Sequence, residues 1–329
     1  MRRPDARRML LRAGALAATG AWTGAARAQA SSARPISLIG PFAAGGSNDG
    51  ISRIYAQKLS ALLGGRPVLV DNKPGAAGLI AAQHVARSVP DGTTLLIVSN
   101  TFVIAPHVYR NPGHDAVRDF AAVTPTYATN VVWVTRPDHP VRTLGDLVSA
   151  AKASPGKLTY ATNGVGSYSH LQVEAFKLRH GVDLTHVPFK SLPEGSTAVM
   201  GGTVDLAVDT PFGAMGRLKG GVLRALALFG AQREEALPDL PTHTEAGFPD
   251  PDQQPAFAGI VAPAKTPDAV LAELRDASAQ VLRDPEYLAR LRAAGSLPFA
   301  MSAADFGALI ARYGDGVRDL VRRLAVVPS

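Results

Sequence analysis

Gly40-Pro41-Phe42-Ala43-Ala44-Gly45-Gly46-Ser47-Asn48-Asp49 joins an apolar run, Pro35-Ile36-Ser37-Leu38-Ile39, to a segment in which Ile51, Ile54, Tyr55, Leu59, Leu62 and Leu63 recur at helical spacing. The spacing predicts a strand over 36–39, a tight turn, and a helix over 50–63. Paired glycines let the backbone turn so that several N–H groups share one concavity. The helix behind them adds its unpaired first-turn N–H groups and the positive end of its dipole. Ser47 and Asn48 add side-chain donors. In outline this is an anion site; the alternative is that Ser47 or Asn48 acts only as a helix cap, which the local sequence alone favours. The turn lacks the lysine of a P-loop and the Gly-x-Gly-x-x-Gly spacing of a dinucleotide fold.

A second turn has the same construction. Asn163-Gly164-Val165-Gly166-Ser167-Tyr168-Ser169-His170 comes after a strand predicted over 158–162 and precedes a helix over about 169–179. Two such turns, one in each half of the chain, can converge on one ligand from opposite sides of a cleft. His170 falls in the first turn of its helix, near such a site or packing behind it.

Outward from these turns, β-like runs alternate with helix-like runs along the chain. Strands are expected at 67–70, 93–98, 131–134, 184–189, 204–208 and 223–228, and a helix at 78–87. From Pro267 onward the tail reads as helical, with Pro285 restarting a second helix. Alternating βα units imply an α/β fold with mainly parallel sheets covered by helices. Two regions, about 34–130 and about 133–253, carry their own run of such units, and Pro249-Asp250-Pro251-Asp252-Gln253-Gln254-Pro255 separates the second from the C-terminal part of the chain.

The 329 residues suggest two domains. Apolar residues make up 46% and charged residues 19%, which excludes disordered, collagenous and coiled-coil chains. Cysteine is absent, so disulfide scaffolds, zinc–cysteine sites, iron–sulfur clusters and thiol catalysis are excluded. The formal charge of +7 is concentrated at the start: residues 1–30 carry six arginines against Asp5 alone. The rest holds 28 basic and 26 acidic side chains, no footprint for a nucleic acid.

Residues 1–30 read as a signal peptide: a basic start, a mildly apolar run from Ala13 to Ala26, and small-x-small cleavage patterns at 26–28 and 28–30. Arg7-Arg8-Met9-Leu10-Leu11-Arg12 resembles a twin-arginine signal, with an ordinary Sec signal as the alternative. No later stretch has 18 consecutive apolar residues. A soluble protein exported to the periplasm is expected.

Enzyme motifs are missing from the sequence. Gly166-Ser167-Tyr168-Ser169 misses the Gly-x-Ser-x-Gly elbow, no His-Glu-x-x-His occurs, and the eight histidines are scattered. No cofactor and no metal site is expected. Asp205 and Asp209 share one face of a predicted strand, and Asp209, at its C-terminal end, falls where ligands sit in such sheets.

At these residues the chain resembles the Bug-type family, the extracytoplasmic solute receptors of tripartite tricarboxylate transporters. Matching blocks run from 39–49 through Val70-Asp71-Asn72-Lys73-Pro74-Gly75-Ala76-Ala77-Gly78, Pro90-Asp91-Gly92-Thr93-Thr94-Leu95 and His186-Val187-Pro188-Phe189-Lys190 to Leu240-Pro241-Thr242 and Glu245-Ala246-Gly247. The resemblance implies a two-domain periplasmic binding protein of the Venus-flytrap, type II-like kind with two interdomain crossings. Domain 1 would combine 31–131 with 256–329, and domain 2 would hold 132–255. It also implies a carboxylate held in the cleft, with Phe42, Ala43, Gly46, Ser47, Asn48 and Asp49 in the first loop. Gly166, Ser167 and His170 belong to the second loop, Ser99 and Asn100 to a strand end at the cleft, and Asp209 to the far wall; Asn163, in the same turn, is a further candidate, and it and Asn48 fill positions that vary in the family. Ser47 stands where the family usually has Thr. Phe189 and Ser191 replace the family's Tyr and Gly, so the wall near Lys190 differs.

The reading is a monomeric periplasmic receptor that hands a small carboxylate to the membrane subunits of such a transporter. The alternative is a sensor or enzyme domain on the same fold.

Overall fold

The computed structural model describes residues 34–42, 44, 47–230, 232–250 and 255–323. The chain opens with β1 (Ile36–Gly40), α1 (Ser47–Leu62), β2 (Val68–Asn72), a 3-10 turn (Ala76–Gly78), α2 (Leu79–Ala86), β3 (Thr94–Ser99), α3 (Asn100–Val108) and β4 (Phe120–Thr129). After Asn130 come β5 (Val131–Thr135), α4 (Leu144–Ala153), β6 (Thr159–Thr162), α5 (Tyr168–His180), β7 (Thr185–Pro188), α6 (Leu192–Met200), β8 (Leu206–Asp209), α7 (Pro211–Lys219) and β9 (Arg224–Phe229). It finishes with β10 (Ala256–Pro263), α8 (Asp268–Val281), α9 (Pro285–Ala293), β11 (Leu297–Pro298) and α10 (Ala303–Arg323).

The strands form two sheets, β11-β4-β10-β3-β1-β2 and β7-β6-β8-β5-β9. Two-residue alternation along each strand splits the apolar residues between the faces. In the first sheet Leu38, Leu95, Ile97 and Ile260 meet α1, α8 and α9 through Tyr55, Leu59, Leu274 and Tyr287. Their neighbours Ile39, Leu96, Val98 and Val261 meet α2, α3 and α10 through Val85, Phe102, Phe306 and Ile310. The second sheet repeats the pattern. Trp133, Tyr160, Leu206 and Val208 face α4 and α5, and Val132, Val134 and Ala207 face α6 and α7. Each fully buried Leu, Ile or Phe side chain contributes roughly 1.5–3 kcal/mol.

The sheets are mixed, not mainly parallel. β1 pairs in parallel with β2 and β3, and β6 with β7 and β8. β10 runs antiparallel to both β3 and β4, and β5 antiparallel to both β8 and β9. The reason is the path of the chain. It leaves the first sheet after β4, completes the second, and returns through β10, which enters from the opposite direction between β3 and β4.

Two crossings therefore join the sheets, and the first is the single residue Asn130. Its side-chain Nδ2 donates to Glu234 Oε1 at 2.8 Å in the segment that leaves β9. Gly230 lies against it so closely that a Cβ there would stand 1.9 Å from Asn130 Oδ1. The second crossing is gripped by Asn100, whose Oδ1 accepts from Phe257 N at 2.7 Å and whose Nδ2 donates to Pro255 O at 3.1 Å. A small apolar cluster, Ile104 and Val108 of α3, Leu171 of α5, and Val317 and Val321 of α10, also spans the two sheets' helices. No helix among the described residues is long and apolar enough to cross a membrane. Residues 1–30, the expected signal peptide, lie outside the described residues.

Candidate functional site

Strand register fixes which ends of the two sheets face the crossings. Thr129 pairs with Ala256, and Ser99 with Ala258, so the C-terminal ends of β3 and β4 share one edge with the start of β10. β1, parallel to β3, ends at that edge too. In the second sheet Val131 pairs with Phe229 and Val132 with Asp209, so β8 and its parallel neighbour β6 end beside the crossings. The two glycine turns, after β1 and after β6, thus stand at the hinge-side edges of separate sheets.

Around the first turn, Phe42 packs its ring onto the core beside Gly40. Ala43, Gly46 and the Ser47 side chain lie outside the described residues, although Ser47 begins α1. Asn48 is exposed, and its Oδ1 accepts from the buried Tyr127 hydroxyl of β4 at 2.5 Å. That bond fixes the amide, leaving the NH2 group without a bond among the described residues. Asp49 is buried and committed elsewhere. Arg53 meets it with Nε and Nη2, both at 3.0 Å, and Asn72 Nδ2 donates at 2.9 Å. A bidentate arginine with an amide donor offsets the cost of burying that carboxylate.

Ser99 ends β3, and its side chain does not cap the next helix. Asn100 does not continue the strand; it begins α3, and its amide holds the second crossing. Its side chain is turned to the scaffold.

The second turn is knit by its own hydroxyls. Ser167 caps α5 by accepting from His170 N at 3.2 Å, donates to Gly164 O at 2.8 Å, and meets Ser169 Oγ at 3.0 Å. Ser169 Oγ donates to Asn163 Oδ1 at 2.7 Å. Asn163 is exposed, so it repeats the arrangement of Asn48: a carbonyl pinned by a hydroxyl and an NH2 group unbonded among the described residues. Gly166 adopts φ +73°, a conformation that favours glycine, and a Cβ there would lie 2.7 Å from Val108 of α3. The second turn therefore touches the first sheet's helix at Gly166.

His170 is buried behind this turn. Its Nδ1 accepts from Gly166 N at 3.2 Å, which leaves the proton on Nε2. Its ring stacks on His186 at 4.2 Å, and His186 in turn stacks on Tyr160 at 4.9 Å. Burial pushes both imidazoles down, His186 to about 4, with the neighbouring His170 ring adding to the effect on His186.

Asp209 is buried at the end of β8. Ser196 Oγ donates to Oδ2 at 2.5 Å, Thr210 N to Oδ1 at 2.8 Å, and Arg217 stands 3.6 Å away. Burial raises its pKa, and these three partners act against that. Among the described residues no group of His, Asp or Glu side chains is placed to hold a metal.

Two sheets with covering helices, linked by two crossings, define a two-domain α/β periplasmic binding-protein fold. The chain belongs to the tripartite tricarboxylate transporter receptor family, whose model matches residues 51–325. It is 36% identical over 273 residues to a UPF0065 protein of Bordetella pertussis, covering 83% of this chain and 84% of that one. Among solved structures it resembles R. palustris Rpa4515 with adipate at TM-score 0.79 and 30% identity, covering 90% of this chain and 99% of that one. It also resembles MatC of Rhodopseudomonas palustris with bound malate at TM-score 0.75 and 28% identity, covering 88% and 99%.

Proposed function

We propose that the protein captures a small carboxylate between its two glycine turns and passes it to the membrane subunits of a tripartite tricarboxylate-type transporter. The observation that carries this reading is the matched pair Asn48 and Asn163. One sits at each turn, each with its carbonyl held by a hydroxyl, so each offers N–H donors to an incoming acceptor. A carboxylate leaving water needs several such donors. Neutral amides supply them without a fixed counter-charge, which keeps release possible. The first-turn N–H groups of α1 and the Ser47 hydroxyl complete the first half of the site.

On this reading His170 and Ser167 shape the second turn, Asn100 and Asp209 serve the scaffold, and Asp49 anchors α1. Domain 1 comprises 31–131 with 256–329, and domain 2 comprises 132–255, as the two sheets suggest. Ligand binding draws the two together about the crossings. Residues 1–30 direct export to the periplasm, where the protein acts as a monomer and performs no catalysis of its own. Adipate and malate, present in the structures of the two relatives, make dicarboxylates the first ligands to test.

The test is calorimetric titration of the protein with a panel of mono-, di- and tricarboxylates, repeated on Asn48→Asp and Asn163→Asp. Each substitution keeps the acceptor for its hydroxyl partner but replaces the NH2 group with a second oxygen. Losing a charge-assisted hydrogen bond costs about 1.5–3 kcal/mol, so affinity should fall at least about ten-fold in each variant. Unchanged affinity in both would remove the amides from the site, and no binding across the panel would overturn the carboxylate reading.

A further inference from the structure

A cavity of about 640 Å³ lies between α5 of the second sheet and α10 of the first. None of the candidate residues of the glycine turns and strand ends lines it. Its volume is within the roughly 300–1,000 Å³ typical of small-molecule sites. We propose that it is a separate binding site for an anionic amphiphile, a carboxylate with an alkyl body.

Three observations support this. The apolar walls come from both helices: Leu171, Ala175 and Leu178 on one side, Val317 and Leu320 on the other. The charge on the rim is unbalanced toward positive. Asp250 pairs with Arg179 at 2.7 Å, and Asp319 with Arg322 at 3.5 Å, whereas Arg312 and Arg323 have no ion-pair partner among the described residues. Gln172, nine-tenths buried, belongs to the same wall. Its Oε1 accepts from Trp133 Nε1 at 3.2 Å, which fixes the amide and leaves Nε2 with no hydrogen-bond partner. A buried donor in that state is costly, and a small turn of the Gln172 amide toward an acceptor held at the wall relieves it. A carboxylate supplies the acceptor, the two arginines offset its charge, and the alkyl chain covers the leucines and valine.

The position adds a consequence for motion. The walls belong to different sheets, so the cavity keeps this shape at only one angle between them. An occupant would favour that angle in proportion to its extra affinity for it.

Octanoate is a suitable probe, titrated calorimetrically into the full-length protein. Saturable binding is expected. Removing both rim cations, Arg312→Ala with Arg323→Ala, should weaken it roughly ten-fold or more. Ala175→Trp, which fills the groove, should abolish it, and Asn48→Asp should leave it unchanged. Should Ala175→Trp fail to fold, the arginine variant still decides. Absence of saturable binding, equal binding in the arginine variant, or loss of binding in Asn48→Asp would overturn the proposal. The last result would place octanoate at the glycine turns instead.

Discussion

The stack Tyr160–His186–His170 makes the stability of the second turn depend on pH in a defined direction. In the folded protein burial holds His186 at about 4, against 6.5 for an ordinary imidazole, with the neighbouring His170 ring adding to the effect. Glu174 favours the charged form, but it is already shared with Lys177 and the Tyr160 hydroxyl, and Lys177 opposes it. The folded state therefore binds fewer protons than the unfolded chain between pH 6.5 and 4. Stability from this group is complete above about pH 6.5 and is lost as pH falls toward about 4. At about 1.36 kcal/mol per pH unit the full difference is about 3.4 kcal/mol. His186 is only half-buried, and solvent screening brings the expected loss to about 2 kcal/mol. Urea unfolding of wild type and His186→Gln at several pH values between about 7.5 and about 4.5 isolates it, because carboxylates common to both cancel in the difference. Glutamine retains a partner for Thr162 Oγ1, which lies 2.7 Å from His186 Nε2. The wild type should lose about 2 kcal/mol relative to the variant across that range. A flat difference would refute the argument.

Protonation of His170, which burial holds below the ordinary imidazole range, removes the acceptor for Gly166 N–H, so ligand affinity should fall on acidification, measurable by calorimetry near neutral pH and again in acid. Asn100→Ala strips the buried Phe257 N–H of its acceptor and should cost about 1–3 kcal/mol in urea unfolding, with the fold retained. Gly166→Ala forces a side chain into φ +73° at about 1–2 kcal/mol and sets a methyl against Val108; small-angle scattering should show less ligand-induced compaction than wild type.

The parts of the fold legible in the sequence are those with a local signature. β1, β3 and α1 are readable because each carries its own apolar periodicity, and a glycine turn joins the first strand to the helix. β4 and β10 are not anticipated, and the reason is their composition. β4 carries Pro125, and β10 carries Gly259 at mid-strand and Pro263 at its end. Proline and glycine normally argue against a central strand. Gly259 is there because the Phe306 ring crosses it so closely that a Cβ would stand 2.2 Å from Cζ. That requirement belongs to tertiary packing and leaves no periodic trace. The site divides the same way. Both turns are visible as glycine–hydroxyl junctions, yet what orients Asn48 is Tyr127, 79 residues away in sequence. The family resemblance puts Asn100 at the cleft, but its partners lie 155 and 157 residues further on and leave no local trace. Gly166 is expected in the second loop from the sequence, but its close approach to Val108, 58 residues earlier, is not legible there.

The placement of β10 bears on how the chain folds as it is synthesised. β3 and β4 leave the ribosome early, but they do not pair with each other; β10 lies between them in the sheet. Until residues 256–263 emerge, both keep an unpaired edge, and Phe257 and Val261 are missing from the core that Leu96 and Phe306 share. The second sheet, drawn wholly from residues 131–229, has all its strands by then. The last-made unit is thus the one that contains the N-terminal strands. Its contacts are long-range in sequence and slow to form, so exposed strand edges persist through most of translation, which is the period in which a chaperone would have something to hold.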